Sequence, residues 1–200
     1  FIITIVMYLS KNPGWWMAAA PAVILSQVLI ISTWTDAKFG TLANILVLIV
    51  GVVAFGNWSF ENMAEKEVNA LLPTSAASLE PLADREFAGL PSIVQTWLQK
   101  SGVLDQESIQ TVHLKQKGEI RLQPASKWMP FSAEQWFNIA EPGFVWLADV
   151  KAAPGFFFRG RDKFDDGSGH MLIKVLALAP VVNDRGDKLD QGTMLRYLAE

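Results

Sequence analysis

FVWLADVKAAPGFFFRGRDKFD, residues 144–165, decides how the polar part of this chain is read. Phe144, Trp146, Ala148 and Val150 fall on alternate positions, the period of a strand with one apolar face. Ala153-Pro154-Gly155 supplies the residues of a tight turn. The chain then resumes with Phe156, Phe158 and Phe164 on one face, and Arg159, Arg161, Lys163 and Asp165 on the other. Two alternating segments joined by a short turn make an antiparallel pair, so the flanking sequence is searched for further strands of the same kind.

Downstream, Asp165-Asp166-Gly167-Ser168-Gly169 turns the chain into a strand over 170–178, and upstream residues 131–138 form another. Within 110–123 the apolar positions are Val112, Leu114, Ile120 and Leu122. A two-residue turn at Lys117-Gly118 would set Leu114 opposite Arg121, whereas a three-residue loop over 116–118 sets Leu114 opposite Ile120. The three-residue hairpin is therefore expected, and with it a meander of at least six strands. One apolar sheet face must be covered or the sheet must close. Helices over 91–100, with Ile93, Val94, Trp97 and Leu98 on one face, and over 189–200 are the expected cover. The fold class is α+β: N-terminal transmembrane helices followed by a curved antiparallel β-meander, half-barrel-like, packed with helices.

Residues 1–57 hold only three charged side chains, Lys11, Asp36 and Lys38, which leaves 15 Lys and Arg against 19 Asp and Glu beyond them, a net charge of −4. A concentrated basic face is absent, which argues against nucleic acid. With no cysteine, disulfides, thiolate metal sites and cysteine nucleophiles are excluded. Residues 15–34 and 39–56 are uncharged runs of 20 and 18 residues, the length that crosses a bilayer, and residues 1–9 read as the tail of a further helix. Trp15, Trp16 and Trp34 stand where interfacial rings belong. Residues 35–38 allow only a tight hairpin, and Ser26, Gln27 and Asn44 read as hydrogen-bonding glue between helices. Lys11 and Lys66 against Lys38 lean the polar domain toward the cytoplasm. The expected organisation is membrane helices over 1–56, a juxtamembrane helix (57–72) and linker over 57–80, and a β-rich domain over 81–200.

Several residues carry candidate chemistry. Arg159, Arg161 and Lys163 alternate on one strand face, able to receive an anionic group or to pair with Glu134, Asp149 and Asp165. The aspartates and glycines of 162–169 lack the ligand spacing and closing Glu of a calcium loop. His113 and His170 have no metal-site companions, and no nucleophile, dinucleotide or phosphate-loop motif appears, so neither metal nor cofactor is expected. Aromatic side chains crowd residues 128–158, and Trp136 and Phe157 fall opposite their aromatic neighbours, so one core face cannot hold them all. The expected ligand-binding set is Trp128, Glu134, Trp136, Trp146, Phe157, Arg159, Arg161 and Asp162.

Residues 26–44 (SQVLIISTWTDAKFGTLAN), WMPFSAEQW (128–136), PGFVW (142–146), GRDKFDDGSGHM (160–171) and LDQGTMLRYLAE (189–200) together resemble an uncharacterised bacterial family of membrane-anchored domains of unknown function. The resemblance implies a bacterial inner or plasma membrane, further helices ahead of residue 1 and a domain that continues past residue 200. It implies no activity. The expected function is a membrane-tethered binding module holding a lipid or other amphipathic ligand in an aromatic-lined sheet. Its rivals are a protein-interaction or envelope-assembly module, whose protein partner is unknown, and a hydrolase-like enzyme drawing on Glu134, Asp162, His170 and Arg161.

Overall fold

Apolar–polar alternation from residue 111 onward builds one sheet. Among the described residues six antiparallel strands lie in chain order: β1 (Thr111–Ile120), β2 (Met129–Asn138), β3 (Gly143–Ala153), β4 (Phe156–Asp165), β5 (Ser168–Val175) and β6 (Ala179–Asp184). The computed structural model describes residues 1–73, 89–102, 106, 109–121 and 123–200. β3 pairs Phe144 with Phe164, Trp146 with Asp162, Ala148 with Gly160 and Val150 with Phe158, the faces expected from 144–165. Asp166 (φ 49°) and Gly167 (φ 72°) form the β4–β5 turn, both in the left-handed region that a two-residue type I′ turn requires.

Residues 116–118 do not turn. β1 runs unbroken beside β2, with Gln116 opposite Ala133 and Gly118 opposite Phe131. Gly118 is needed for closeness, since a Cβ there would stand 3.0 Å from the Phe131 ring. The sixth strand is instead β6, which follows Leu176 and Ala177, both at positive φ. No alternation in 179–184 announces it.

The helices are α1 (Ile2–Leu9), α2 (Trp15–Ser32), the one-turn α3 (Trp34–Ala37) within the expected hairpin, α4 (Gly40–Leu71), α5 (Ser92–Ser101) and α6 (Asp187–Ala199). Two of them, α2 and α4, are long and apolar enough to cross a membrane. Gln27 ties them together, donating to Thr41 Oγ1 (3.1 Å) and accepting from Asn44 Nδ2 (3.0 Å).

The helix expected over 57–72 is not separate: α4 is one element of 32 residues, about 48 Å long. Its second half buries Gly56, Phe60, Ala64, Val68 and Leu71, a stripe at helical spacing. That stripe lies on one sheet face, Phe60 against Leu172 and Ala177, and Val68 and Leu71 against Val145. Gly56 marks the closest approach, where a Cβ would come 2.6 Å from Leu178 Cδ2 and 3.1 Å from the Ala177 carbonyl. At the far end Asn138 Nδ2 donates to the Leu71 carbonyl at 2.8 Å.

The opposite face is covered at one end by α6, whose Tyr197 packs on Phe137, Phe144 and Phe164. The Tyr197 hydroxyl donates to the Asn138 carbonyl (3.1 Å), and Asp190 Oδ1 accepts from the Gly169 amide (2.7 Å). α5 ends as expected at Gly102 (φ 72°), but Ile93 and Trp97 remain 79% and 64% exposed. These two residues of its apolar face do not pack on the sheet, one side of which the α4 stripe covers. Of the linker expected over 73–78, residues 74–78 lie outside the described residues.

Phe60 is 1% exposed. Phe60→Ala should lower the unfolding free energy by about 3–5 kcal/mol, measured by denaturant unfolding in detergent. A loss well under about 1 kcal/mol would mean that α4 is not seated on the sheet.

Candidate functional site

β-alternation sends the side chains of β4 to opposite sides of the sheet, and the two sides differ in character. Toward α4 go the cations, each with a partner. Arg159 Nε lies 2.6 Å from Asp149 Oδ1, and its Nη1 reaches Asn57 Oδ1 and Glu61 Oε1, both at 3.2 Å. Burial, more than any other influence, pushes the Asp149 carboxyl above its usual range, against the pull of Arg159. Arg161, 2% exposed, meets Glu67 Oε2 through Nε at 2.9 Å. Its Nη1 donates to the His170 carbonyl (2.6 Å) and its Nη2 to His170 Nδ1 (2.8 Å). Burial lowers the Arg161 pKa, with Glu67 opposing.

Arg185 Nη2 also lies 2.8 Å from His170 Nδ1. Two guanidinium donors make Nδ1 an acceptor, which assigns the ring proton to Nε2, donating to Asn183 Oδ1 at 2.8 Å. Burial lowers the His170 pKa below 6.5, helped by Arg161 and Arg185 and resisted by the Asn183 bond. Further along this face His113 stacks on Trp136 (4.6 Å, 9°) and bonds Glu134 Oε2 at 2.8 Å. Lys115, Lys117, Glu134, Trp136, Asp149 and Arg159 there line a shallow polar groove of about 560 Å³.

Away from α4 the sheet is apolar, and the end that α6 leaves open is a groove of about 540 Å³. Ala148 and Gly160, paired across β3 and β4, make its floor, with Trp146, Val150, Phe158, Met171, Ile173 and Val182 around them. A Cβ at Gly160 would meet nothing closer than 3.9 Å, so this glycine leaves room. Trp146 is fixed by its Nε1, which donates to Gln116 Oε1 at 2.8 Å.

The inner end of the groove is polar. Arg196 of α6 donates through Nη1 to Asp162 Oδ2 (2.7 Å), through Nε to Glu200 Oε1 (2.9 Å) and through Nη2 to Gln135 Oε1 (3.2 Å). Gln135 Nε2 in turn donates to Glu200 Oε2 at 2.7 Å. The guanidinium lies over the Phe144 and Trp146 rings, 4.9 and 5.1 Å from their centroids. Asp162 is 4% exposed, and among the described residues no donor hydrogen-bonds its buried Oδ1. Burial pushes its carboxyl up from 3.8, against Arg196 and, more weakly, Arg161 and the Lys163 amide. An apolar groove ending in a few fixed polar groups is the usual form of a small-molecule site.

The other end of the groove faces the β3–β4 turn. Val150 and Phe158 flank that turn, and Val175, opposite Phe158, leads into the 176–178 segment that meets Gly56. The groove thus opens level with the point where the apolar run of α4 ends. Trp128 and Phe156, 55% and 42% exposed, stand at the same end of the sheet, with the Arg121 guanidinium 4.7 Å over the Trp128 ring.

Residues 80–200 match a family of unknown function, DUF6544. The chain belongs to DUF6544. Neither a curated protein nor a solved structure matches it. The DUF6544 region holds all six strands described and α6, and therefore the groove, while the α4 stripe that covers its other face precedes it.

The sheet divides the expected DUF6544 site residues. Glu134, Trp136, Phe157, Arg159 and Arg161 lie toward α4, Trp146 and Asp162 line the groove, and Trp128 stands at the exposed end. Phe157 packs with Phe60, and Trp136 packs with Val68 and Val145. Arg161 also borders the groove, but its guanidinium and the other α4-side residues lie through the sheet from Trp146 and Asp162. Of the four polar residues considered for an enzyme, Arg161 and His170 meet, whereas Asp162 lies through the sheet and Glu134 bonds His113. Sequence reading missed Arg196, Gln135 and Gly160. The signal for Gly160 was present, a glycine inside a strand, which marks room for another group.

The lowered His170 pKa has a sign. The native ring stays neutral where the unfolded one takes a proton, so its contribution is full above pH 6.5 and is lost as pH falls toward the native pKa. Denaturant unfolding from about pH 7.5 to about pH 5.5 should show falling stability, and His170→Gln should flatten that slope. Parallel profiles for the two proteins would remove the ring from the account.

Proposed function

We propose that the chain is a bilayer-anchored binding protein whose groove holds a lipid or similar amphipathic molecule taken from the adjacent leaflet. The observation that carries this reading is the position of the apolar groove, open at the level where the apolar half of α4 ends. Its volume of about 540 Å³ falls within the range of small-molecule sites.

The exposure of α2 and α4 supports the anchor. Only 17% and 11% of their most apolar windows is buried, whereas a core helix of a water-soluble domain hides its apolar side chains. Trp128 and Phe156 at the open end suit the headgroup region. The lysine balance favours the cytoplasmic side of the membrane, and the family resemblance favours a bacterial plasma membrane. Arg159, Arg161 and Lys163, the cations of β4 on the α4 face, each have a carboxylate partner, which leaves those three poorly fitted to receive an anion.

Native mass spectrometry of the detergent-solubilised full-length protein, with lipid extraction, tests the reading. The expected result is one bound lipid in the wild type and none in Gly160→Leu, which fills the groove from its floor without a backbone clash. Lengthening an alkyl ligand should strengthen binding by about 0.8 kcal/mol per methylene, roughly fourfold, until the groove is full. A lipid-free wild type, or equal lipid in Gly160→Leu, overturns the proposal.

A further inference from the structure

We propose that the groove selects ligands whose head group donates a hydrogen bond, a hydroxyl or an ammonium, and rejects carboxylate and phosphate heads, with Asp162 Oδ1 as the acceptor. This rests on the ligand-binding reading of the groove and adds the chemistry of the head group.

Three observations carry it. Asp162 lines the groove, is 4% exposed, and among the described residues no donor meets its Oδ1 in hydrogen-bond geometry, the neighbouring Lys163 amide pulling on the carboxyl only weakly. A buried carboxylate oxygen in apolar surroundings is costly until a donor reaches it. The charges at the inner end are Asp162 and Glu200 against Arg196, one negative charge in excess, since Gln135 is neutral. Arg161 also borders the groove, but its guanidinium lies on the far side of the sheet and is matched by Glu67. Nor is Arg196 free to receive an anion. Three of its five N–H groups are engaged, each by a different acceptor, and two aromatic rings hold the guanidinium in place, so an incoming anion would compete with Asp162 and Glu200 for it.

The orientation agrees with a lipid taken directly from a leaflet. The donor-seeking end of the groove lies away from the apolar half of α4, and the open apolar end lies beside it. A lipid keeping its membrane orientation would bring its head to Asp162 and leave its chain along Val150 and Phe158.

The test uses the full-length chain and three probes of one chain length: dodecylammonium, dodecanol and laurate. Bound probe per chain is counted by native mass spectrometry, with Gly160→Leu as the background. The wild type should hold dodecylammonium and dodecanol at least roughly tenfold more tightly than laurate, the span of one hydrogen bond to a charged group. Asp162→Asn places an amide donor in the same volume. It should lose the ammonium preference and accept laurate, while dodecanol, able to donate or accept, stays within a few-fold and reports that the groove is intact. Laurate bound by the wild type as tightly as the other two overturns the head-group inference and leaves the ligand-binding reading standing. Failure of all three probes, including closure of the groove by other parts of the full-length chain, overturns both.

Discussion

The seating of α4 on the sheet is the contact from which the rest of the architecture follows. An antiparallel meander with aromatic side chains on both faces has no stable form in water unless each face is covered. Gly56, Phe60, Ala64, Val68 and Leu71 cover one face with a single stripe, and the close approach at Gly56 brings backbone within reach of the 176–178 segment. Phe60, with Met63 beside it, joins the helix to β5 and to the residues beyond it. Because that cover comes from a helix outside the DUF6544 match, the folded unit is larger than the family region.

The sheet is also an electrical partition. Residues 159–163 carry cations at every second position, and pleating sends those cations to the α4 side, where Glu61, Glu67, Asp149 and Asp165 meet them. Buried pairs of this kind contribute little net stability, but removing one partner is expensive. They fix which face is which: slipping β4 by one residue would put Arg159 and Arg161 among Val150, Ile173 and Trp146. The groove stays apolar because the register keeps the cations out of it.

Much of this was legible in the residues. Period-two alternation in 144–165 located two strands, their turn and the side each residue faces, because burial imposes that period directly. The run at 110–123 misled, since a lysine–glycine pair reads as turn chemistry whether or not the partner strand is long enough to continue. The decision there came from Phe131, distant in sequence, filling the space over Gly118. For the same reason β6 and the exposure of α5 were invisible, both being outcomes of competition for space between distant elements. Parity along 156–164 put Asp162 among the phenylalanines, an acidic residue on an apolar face, whereas its link to Arg196 spans 34 residues and follows from the docking of α6.

The unbroken length of α4 has a mechanical consequence. No proline interrupts it, and the 15 residues beyond Gly56 extend about 22 Å along the sheet. Were its first half set across a bilayer, the helix would be a lever with its fulcrum at the headgroups. Helices answer a thinner or thicker membrane by changing tilt, and a change of roughly 10° would swing the far end of the sheet by about 4 Å. On the proposed reading, the mouth between the sheet and the lipid surface would widen or narrow with it, and bilayer thickness would control access.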